Sequence, residues 1–92
     1  MERVYVIGSV SQHDKIKEYA NAIPKVFKSV KEVNYVKKET NKRFEQLVSE
    51  CFDMIEKSDT IFVVMKKDLS IGKGVTYEVE YAKRLNKEII YV

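Results

Sequence analysis

Apolar residues along this chain recur in two different periods, and the places where one period gives way to the other mark its elements. Residues 3 to 7, Arg-Val-Tyr-Val-Ile, are β-branched and aromatic and stop at Gly8-Ser9, which predicts a buried strand followed by a tight turn. Ser11 with Asp14 three residues later has the form of a capping box and predicts that a helix starts there. Its apolar positions Ile16, Tyr19, Ala20, Ile23, Phe27 and Val30 follow at spacings of three and four. Pro24 lies within that run and either kinks or ends the helix, because proline lacks the backbone donor and clashes one turn back.

Val33, Tyr35 and Val36 lie between lysines and predict a short second strand at a sheet edge, where charged flanks discourage further pairing. From about Thr40 to Lys57, the residues Phe44, Leu47, Val48, Cys51, Phe52 and Ile55 form a continuous helical stripe, with Cys51 as a small core residue. Residues 60 to 65 form the most hydrophobic run of the chain, short and β-branched, as a strand buried on both faces requires. A polar loop, 66 to 73, leads to a helix beginning near Gly74 and marked by Val75, Val79, Ala82 and Leu85. Residues 89 to 92 form a last strand.

The order β-α-β-α-β-α-β predicts an α/β fold with a parallel sheet and right-handed crossovers. Its most economical form is a flavodoxin-like, Rossmann-like three-layer sandwich, with four strands in the order 2-1-3-4 and residues 1 to 92 making a single domain. Ligands of such sheets bind at the carboxyl ends of the strands where the winding reverses, here between the first and third strands.

Composition narrows the chemistry. A chain of 92 residues buries only about 60 to 65% of the surface its unfolded form exposes, so its core is thin and a partner subunit would help it. With one cysteine and one histidine, a disulfide framework and a zinc cluster are not expected, and a free Cys51 suits a reducing, cytoplasmic setting. The start of the chain lacks the basic lead and long apolar stretch of a signal peptide, and no run of about 18 apolar residues suggests a membrane span. The 17 basic and 14 acidic residues give a net charge of only +3, and the lysines between Lys15 and Arg43 are interspersed with acidic residues. That pattern reads as a solvated face, so neither a nucleic acid nor a membrane is the expected partner.

All three glycines fall in the two loops that leave the first and third strands: Gly8, then Gly72 and Gly74. Glycine lets backbone come close to a ligand, and each loop feeds a helix whose free N–H groups attract anions. Each loop alone is equally well read as turn punctuation; together they favour a site. Neither G-x-x-x-x-G-K-[ST] nor G-x-G-x-x-G follows either strand, so a common ATP or dinucleotide cofactor site is not expected, and no cofactor or metal is called for. A receiver domain is disfavoured too, because Gly8-Ser9 stands where acidic metal ligands would be needed.

The carboxylate that stands out is Glu78, about one turn into the third helix and on the inward stripe of Val75, Ala82 and Leu85. An inward carboxylate is costly unless paired, hydrogen-bonded or used. The helix dipole would hold it ionised, as a nucleophile requires, although a carboxylate satisfying first-turn amides is the plainer reading. Glu80 points elsewhere and can pair with Arg84.

Three segments taken in order, Tyr5-Val-Ile-Gly-Ser9, Ser58-Asp59 opening a hydrophobic strand, and Ser70-Ile-Gly-Lys-Gly-Val-Thr-Tyr-Glu-Val-Glu-Tyr-Ala82, resemble the nucleoside 2-deoxyribosyltransferase superfamily. The likeness spans nearly the whole chain, and its sharpest element is Gly74-x-x-x-Glu78-x-x-x-Ala82. That resemblance implies cleavage of N-glycosidic bonds of nucleosides or their monophosphates on a flavodoxin-like fold. Glu78 would then be the nucleophile that attacks C1′ of the sugar through an oxocarbenium-like transition state. It further implies that Asp59 belongs to the base and sugar pocket, that Tyr5 and Gly8 line it, and that Ser9 and Ser70 sit where a phosphate is held. Lys73 could assist at the phosphate. The family places an aspartate six residues before the glutamate; Gly72 occupies that position here, with Asp68 the nearest carboxylate.

The leading expectation is therefore a glycosyl transferase or hydrolase that takes a small-molecule nucleoside or nucleotide. A catalytically silent nucleotide-binding module of the same fold, or a protein-interaction module, is the alternative. The thin core and six tyrosines further suggest a homodimer.

Overall fold

A computed structural model describes residues 1–36 and 44–92, with the side chains of the second helix described from Val48 onward. The expected start of that helix at Thr40, and the inward side chains of Phe44 and Leu47, lie outside the described residues.

The elements run β1 (Arg3–Gly8), α1 (His13–Val26), β2 (Glu32–Tyr35), α2 (Phe44–Lys57), β3 (Thr60–Val64), α3 (Lys73–Arg84) and β4 (Glu88–Tyr91), with a single 3-10 turn at Val10–Gln12 before α1. All strand pairs are parallel and the sheet order is β2-β1-β3-β4, as the sequence predicts. Strand alternation splits the apolar residues cleanly between two cores. Val4, Val6, Phe62 and Val64 pack with Ile16, Ala20 and Ile23 of α1. Tyr5, Ile7, Ile61 and Val63 pack with Ile55 of α2 and with Val75, Val79 and Ala82 of α3. Every residue of β3 is buried, which explains its unbroken hydrophobic run.

Four local expectations change. The helix after β1 starts at His13 and not at a Ser11 cap: Gln12 is the cap residue and no side chain bonds the free amides there. The 3-10 turn, closed by Gln12 N–H donating to the Ser9 carbonyl (2.8 Å), takes over that role. Pro24 lies inside the last turn of α1, which ends two residues beyond it at Val26. Phe27 and Val30 therefore leave the helical stripe, yet Val30 is still buried and the Phe27 ring tilts against Phe62 at 6.1 Å. At the other end of the chain, α3 stops at Arg84 and Leu85 is its cap, partly exposed. Asn86 takes a left-handed φ of 57°, and Lys87 N–H donates to the Ala82 carbonyl while Asn86 N–H donates to that of Lys83. This six-to-one and five-to-two closure is the Schellman arrangement, with asparagine serving where glycine is commoner. No ion pair forms between Glu80 and Arg84; the described ion pairs are Arg3 with Glu32 and Lys31 with Glu2.

None of the glycines adopts positive φ, so their roles are spatial. A Cβ on Gly8 would lie 3.0 Å from Ile16 Cδ1 and 3.1 Å from the Val64 carbonyl oxygen, whereas one on Gly74 would meet nothing within 4 Å. Gly8→Ala should therefore lower stability by about 1 kcal/mol or more through overpacking. Gly74→Ala should raise it by up to about 1 kcal/mol, since glycine is a poor helix former. Urea melts of the two variants check the pair, and the opposite ordering would contradict the packing described.

Candidate active site

The carboxyl ends of β1 and β3 are adjacent because Gly8 pairs with Val64 in the parallel ladder, which sets the loop after each strand beside the other. The contact between the loops is specific. Gly72, the cap residue of α3, lies so close to Ser9 that a Cβ there would collide with Ser9 Oγ. Ser9 and Gly72 thus close one side of this edge together. The first-turn amides of α3 have no side-chain cap, so they remain open to an anion, and Lys73 is the exposed first residue of the same helix. Gly74, the second residue of α3, has open space in front of it.

Glu78 sits in the second turn of α3, between the buried Val75 and Val79, and is half-buried. It faces the same layer as Tyr5 of β1 and Cys51 of α2, and the three groups influence one another's proton affinity. Burial raises the Glu78 carboxyl from 4.5 to about 7, and the Cys51 thiol partly opposes that rise by hydrogen bonding to the charged form. Burial also pushes the Cys51 thiol up to about 11 and, with the Glu78 charge adding to it, raises the Tyr5 phenol well above its ordinary value. Tyr5 is 1% exposed, and among the described residues its hydroxyl has no strong hydrogen-bond partner; the Cys51 thiol beside it is a weak one. A buried hydroxyl so poorly satisfied is held at a loss beside the carboxyl. The dipole argument is also corrected: it acts within the first turn, and Glu78 lies beyond it, so the apolar surroundings dominate.

The remaining candidate residues divide. Asp68 and Ser70 stay on this edge, but they serve each other: Asp68 Oδ1 accepts from the Ser70 hydroxyl (2.6 Å) and from the Ser70 N–H (3.1 Å). These bonds, the side-chain bond foremost, hold the Asp68 carboxyl below its usual range. They shape a loop in which Lys66 N–H donates to the Ser70 carbonyl and the exposed Leu69 takes a φ of 67°. Asp59 is not brought to the crevice at all. It precedes β3 and so stands at the amino edge of the sheet, where its Oδ2 accepts from the N–H groups of Glu2 (2.9 Å) and Arg3 (3.0 Å). The Thr60 hydroxyl donates to Asp59 Oδ1 at 2.8 Å. Burial works against the Asp59 charge, but the Arg3 and Glu2 amides and the Thr60 hydroxyl outweigh it and hold the carboxyl below its usual range. In this structure Asp59 clamps the start of β1.

Cys51 is the residue whose neighbourhood the sequence understated. It is a small core residue, as its stripe implies, but the same stripe aims it at Tyr5 and Glu78 across α2 and α3. The two helices are locked in that relation by the Phe52 ring stacked on Tyr81 at 4.3 Å and by the Tyr81 hydroxyl donating to Glu56. Among the described residues, no group of three or more His, Cys, Asp or Glu side chains could hold a metal ion, and no helix is long and apolar enough to cross a membrane.

The fold is that of the nucleoside 2-deoxyribosyltransferase-like proteins. Two solved structures make the comparison concrete. The 2-desoxiribosyltransferase from Leishmania mexicana superposes with a TM-score of 0.68 at 22% identity, covering 99% of this chain and 63% of that one. The Clostridium botulinum CMP N-glycosidase BcmB superposes with a TM-score of 0.69 at 18% identity, covering 98% of this chain and 70% of that one. This chain therefore spans about two thirds of the length of either enzyme. No family model and no curated protein matches the sequence.

Two measurements follow. Because Glu78 binds its proton more tightly folded than unfolded, the folded state holds the extra proton between pH 4.5 and about 7, and stability falls as pH rises across that window. Each tenfold change in proton affinity being about 1.4 kcal/mol, Glu78→Gln should relieve a burden on the order of 3 kcal/mol at pH 8 and almost none at pH 4. Urea melts at both pH values check this, and an equal effect at the two would contradict it. Asp59→Ala should cost about 1–2 kcal/mol through the orphaned amides of Glu2 and Arg3, while leaving the affinity for any nucleotide that the chain binds unchanged, as calorimetric titration would read.

Proposed function

We propose that this chain binds a nucleoside or nucleoside monophosphate at the carboxyl ends of β1 and β3 and breaks or exchanges its N-glycosidic bond, with Glu78 as the nucleophile. The observation that carries the reading is the half-buried Glu78 carboxyl beside the buried, weakly partnered Tyr5 hydroxyl. A group titrating near 7 is about half ionised at neutral pH, and the ionised half is a poorly solvated carboxylate, which is the reactive form. One Glu78 oxygen bonds to C1′ as the bond from C1′ to the base nitrogen breaks, and the base leaves with that electron pair and takes up a proton. The ester is then opened by water or by the nitrogen of a second base, regenerating the carboxylate. The neutral Tyr5 phenol is suited to steady the carboxylate by donating to it. Open α3 amides, Ser9 and Lys73 supply the chemistry for a 5′-phosphate, while Gly72 and Gly74 leave room for it.

The names of the two structural neighbours, a deoxyribosyltransferase and a CMP N-glycosidase, support the reaction class. Asp68 and Ser70 support the loop's shape in this reading, and Tyr5 and Gly8 the floor. The same proposal includes a cytoplasmic homodimer with no cofactor and no nucleic-acid partner. A second reading, nucleotide binding without turnover, is favoured by one feature: Asp68 is committed to Ser70 and Asp59 lies at the far edge, so neither of these two carboxylates accompanies Glu78.

The deciding experiment incubates the protein with deoxynucleosides and their monophosphates, each with and without a different free base. Exchanged nucleoside or released base is expected, with activity rising along an acid limb near pH 7 and falling on the order of 10³-fold or more in Glu78→Gln. Saturable binding without turnover would replace the first reading by the second, and wild type indistinguishable from Glu78→Ala across the panel would remove both the nucleophile and the reaction.

A further inference from the structure

Three polar side chains meet where α2 and α3 cover β1, and each comes from a different element. Tyr5 lies on the α2 and α3 side of the sheet, packed with Ile55, Val75, Val79 and Ala82. Cys51 stands one helical turn before Ile55, and Glu78 stands about one turn from both Val75 and Ala82. Both helices therefore turn these residues toward the same layer. The Phe52–Tyr81 stack beside them, with ring centroids 4.3 Å apart, holds one helix against the other.

The direction of each bond follows from what the groups can give. The phenol and the thiol carry one proton each, and an ionised carboxylate carries none. The Tyr5 hydroxyl donates to the Cys51 sulfur, and the Cys51 thiol donates to the Glu78 carboxylate. Burial keeps the thiol protonated, with its proton held up to about pH 11, so it remains a donor throughout the range in which Glu78 titrates. Among the described residues, the titratable groups that face Glu78 from the packed elements are Tyr5 of β1 and Cys51 of α2. The Glu50 charge acts on those two, and β3 presents the uncharged Ile61 and Val63 to this layer.

We propose that Cys51 is a positioning residue for Glu78: its thiol donates to the carboxylate while accepting from the Tyr5 phenol, so that one chain of hydrogen bonds runs from β1 through α2 to α3. A thiol suits that place because it is small, apolar enough for a core and only a weak donor. It orients a carboxylate without holding it ionised, as an arginine or lysine would. A cysteine that merely filled space on the α2 stripe would leave Glu78 indifferent to the atom at that position.

Cys51 is the single cysteine of the chain, so the S–H stretching band in the infrared spectrum reports one thiol. In wild type that band should move to lower frequency as Glu78 ionises, with a midpoint near pH 7, and should stay fixed in Glu78→Gln. A band that ignores pH across this range would overturn the proposal. Carboxyl-carbon NMR gives a second readout. The Glu78 midpoint should fall by roughly half a pH unit in Cys51→Ser, whose hydroxyl is the stronger donor, and rise by about as much in Cys51→Ala, which has none. Midpoints that coincide with wild type, or that move the same way in both variants, would overturn it equally. The consequence for catalysis rests on the proposed reaction: with Glu78 as the nucleophile, the acid limb of activity follows the NMR midpoint in each variant. Split midpoints in a chain without activity would uphold the hydrogen-bond chain and remove the reaction, whereas an acid limb that ignores the split would overturn the positioning of the nucleophile by Cys51.

Discussion

The structure depends on the pairing of β1 with β3. These two strands sit in the middle of the sheet with helices on both sides, and with no water near them their backbone groups must bond to one another. Their register, Val4 with Thr60 through Gly8 with Val64, fixes three things at once. It sorts even and odd residues into the two cores. It sets the Gly8-Ser9 loop against the loop that enters α3. It also places the start of β1 beside Asp59, whose carboxylate holds the two first amides of that strand. Both ends of the central pair are thus organised, the amino end for closure and the carboxyl end for openness.

Glu78 illustrates how the same burial that stabilises the fold raises the proton affinity of a carboxyl. Val75, Val79 and Ala82 fasten α3 to the sheet, and Glu78 shares their helix close to that face. Its charge is thereby separated from water, and its neighbours Tyr5 and Cys51 are weakly polar groups and not cations. A salt bridge would have held the carboxylate permanently ionised and inert; the phenol and thiol leave its proton exchangeable near neutrality. The cost lies in Tyr5, whose buried hydroxyl has only the weakly polar Cys51 thiol beside it among the described residues.

Fold class, strand order, and the crossing point of the winding were legible because they rest on periodicity, which a single sequence displays directly. The inward stripe of α3 likewise revealed Glu78. What could not be read were contacts made between elements distant in sequence. The Asp59 clamp spans more than fifty residues of chain, to Glu2 and Arg3, and nothing local separates a carboxylate that caps a strand from one that binds a sugar. Local chemistry misled at Ser11, where a capping pattern was overridden by a 3-10 turn built on the Ser9 carbonyl. At Asn86, backbone torsion and not side-chain pattern ended the helix. The glycines marked the correct edge for a different reason from the one their chemistry suggested, since all three take ordinary torsions and two of them are small because something else is close.

The contact between Ser9 and Gly72 has a consequence for how such an edge changes over time. The two residues occupy one shared volume, with the side chain contributed from the first loop and the vacancy from the second. A side chain at Gly72 must turn the Ser9 hydroxyl aside, so a change at the entrance to α3 is felt first in the loop that leaves β1. The mouth of the crevice is thus bounded by one residue from each of two loops more than sixty positions apart.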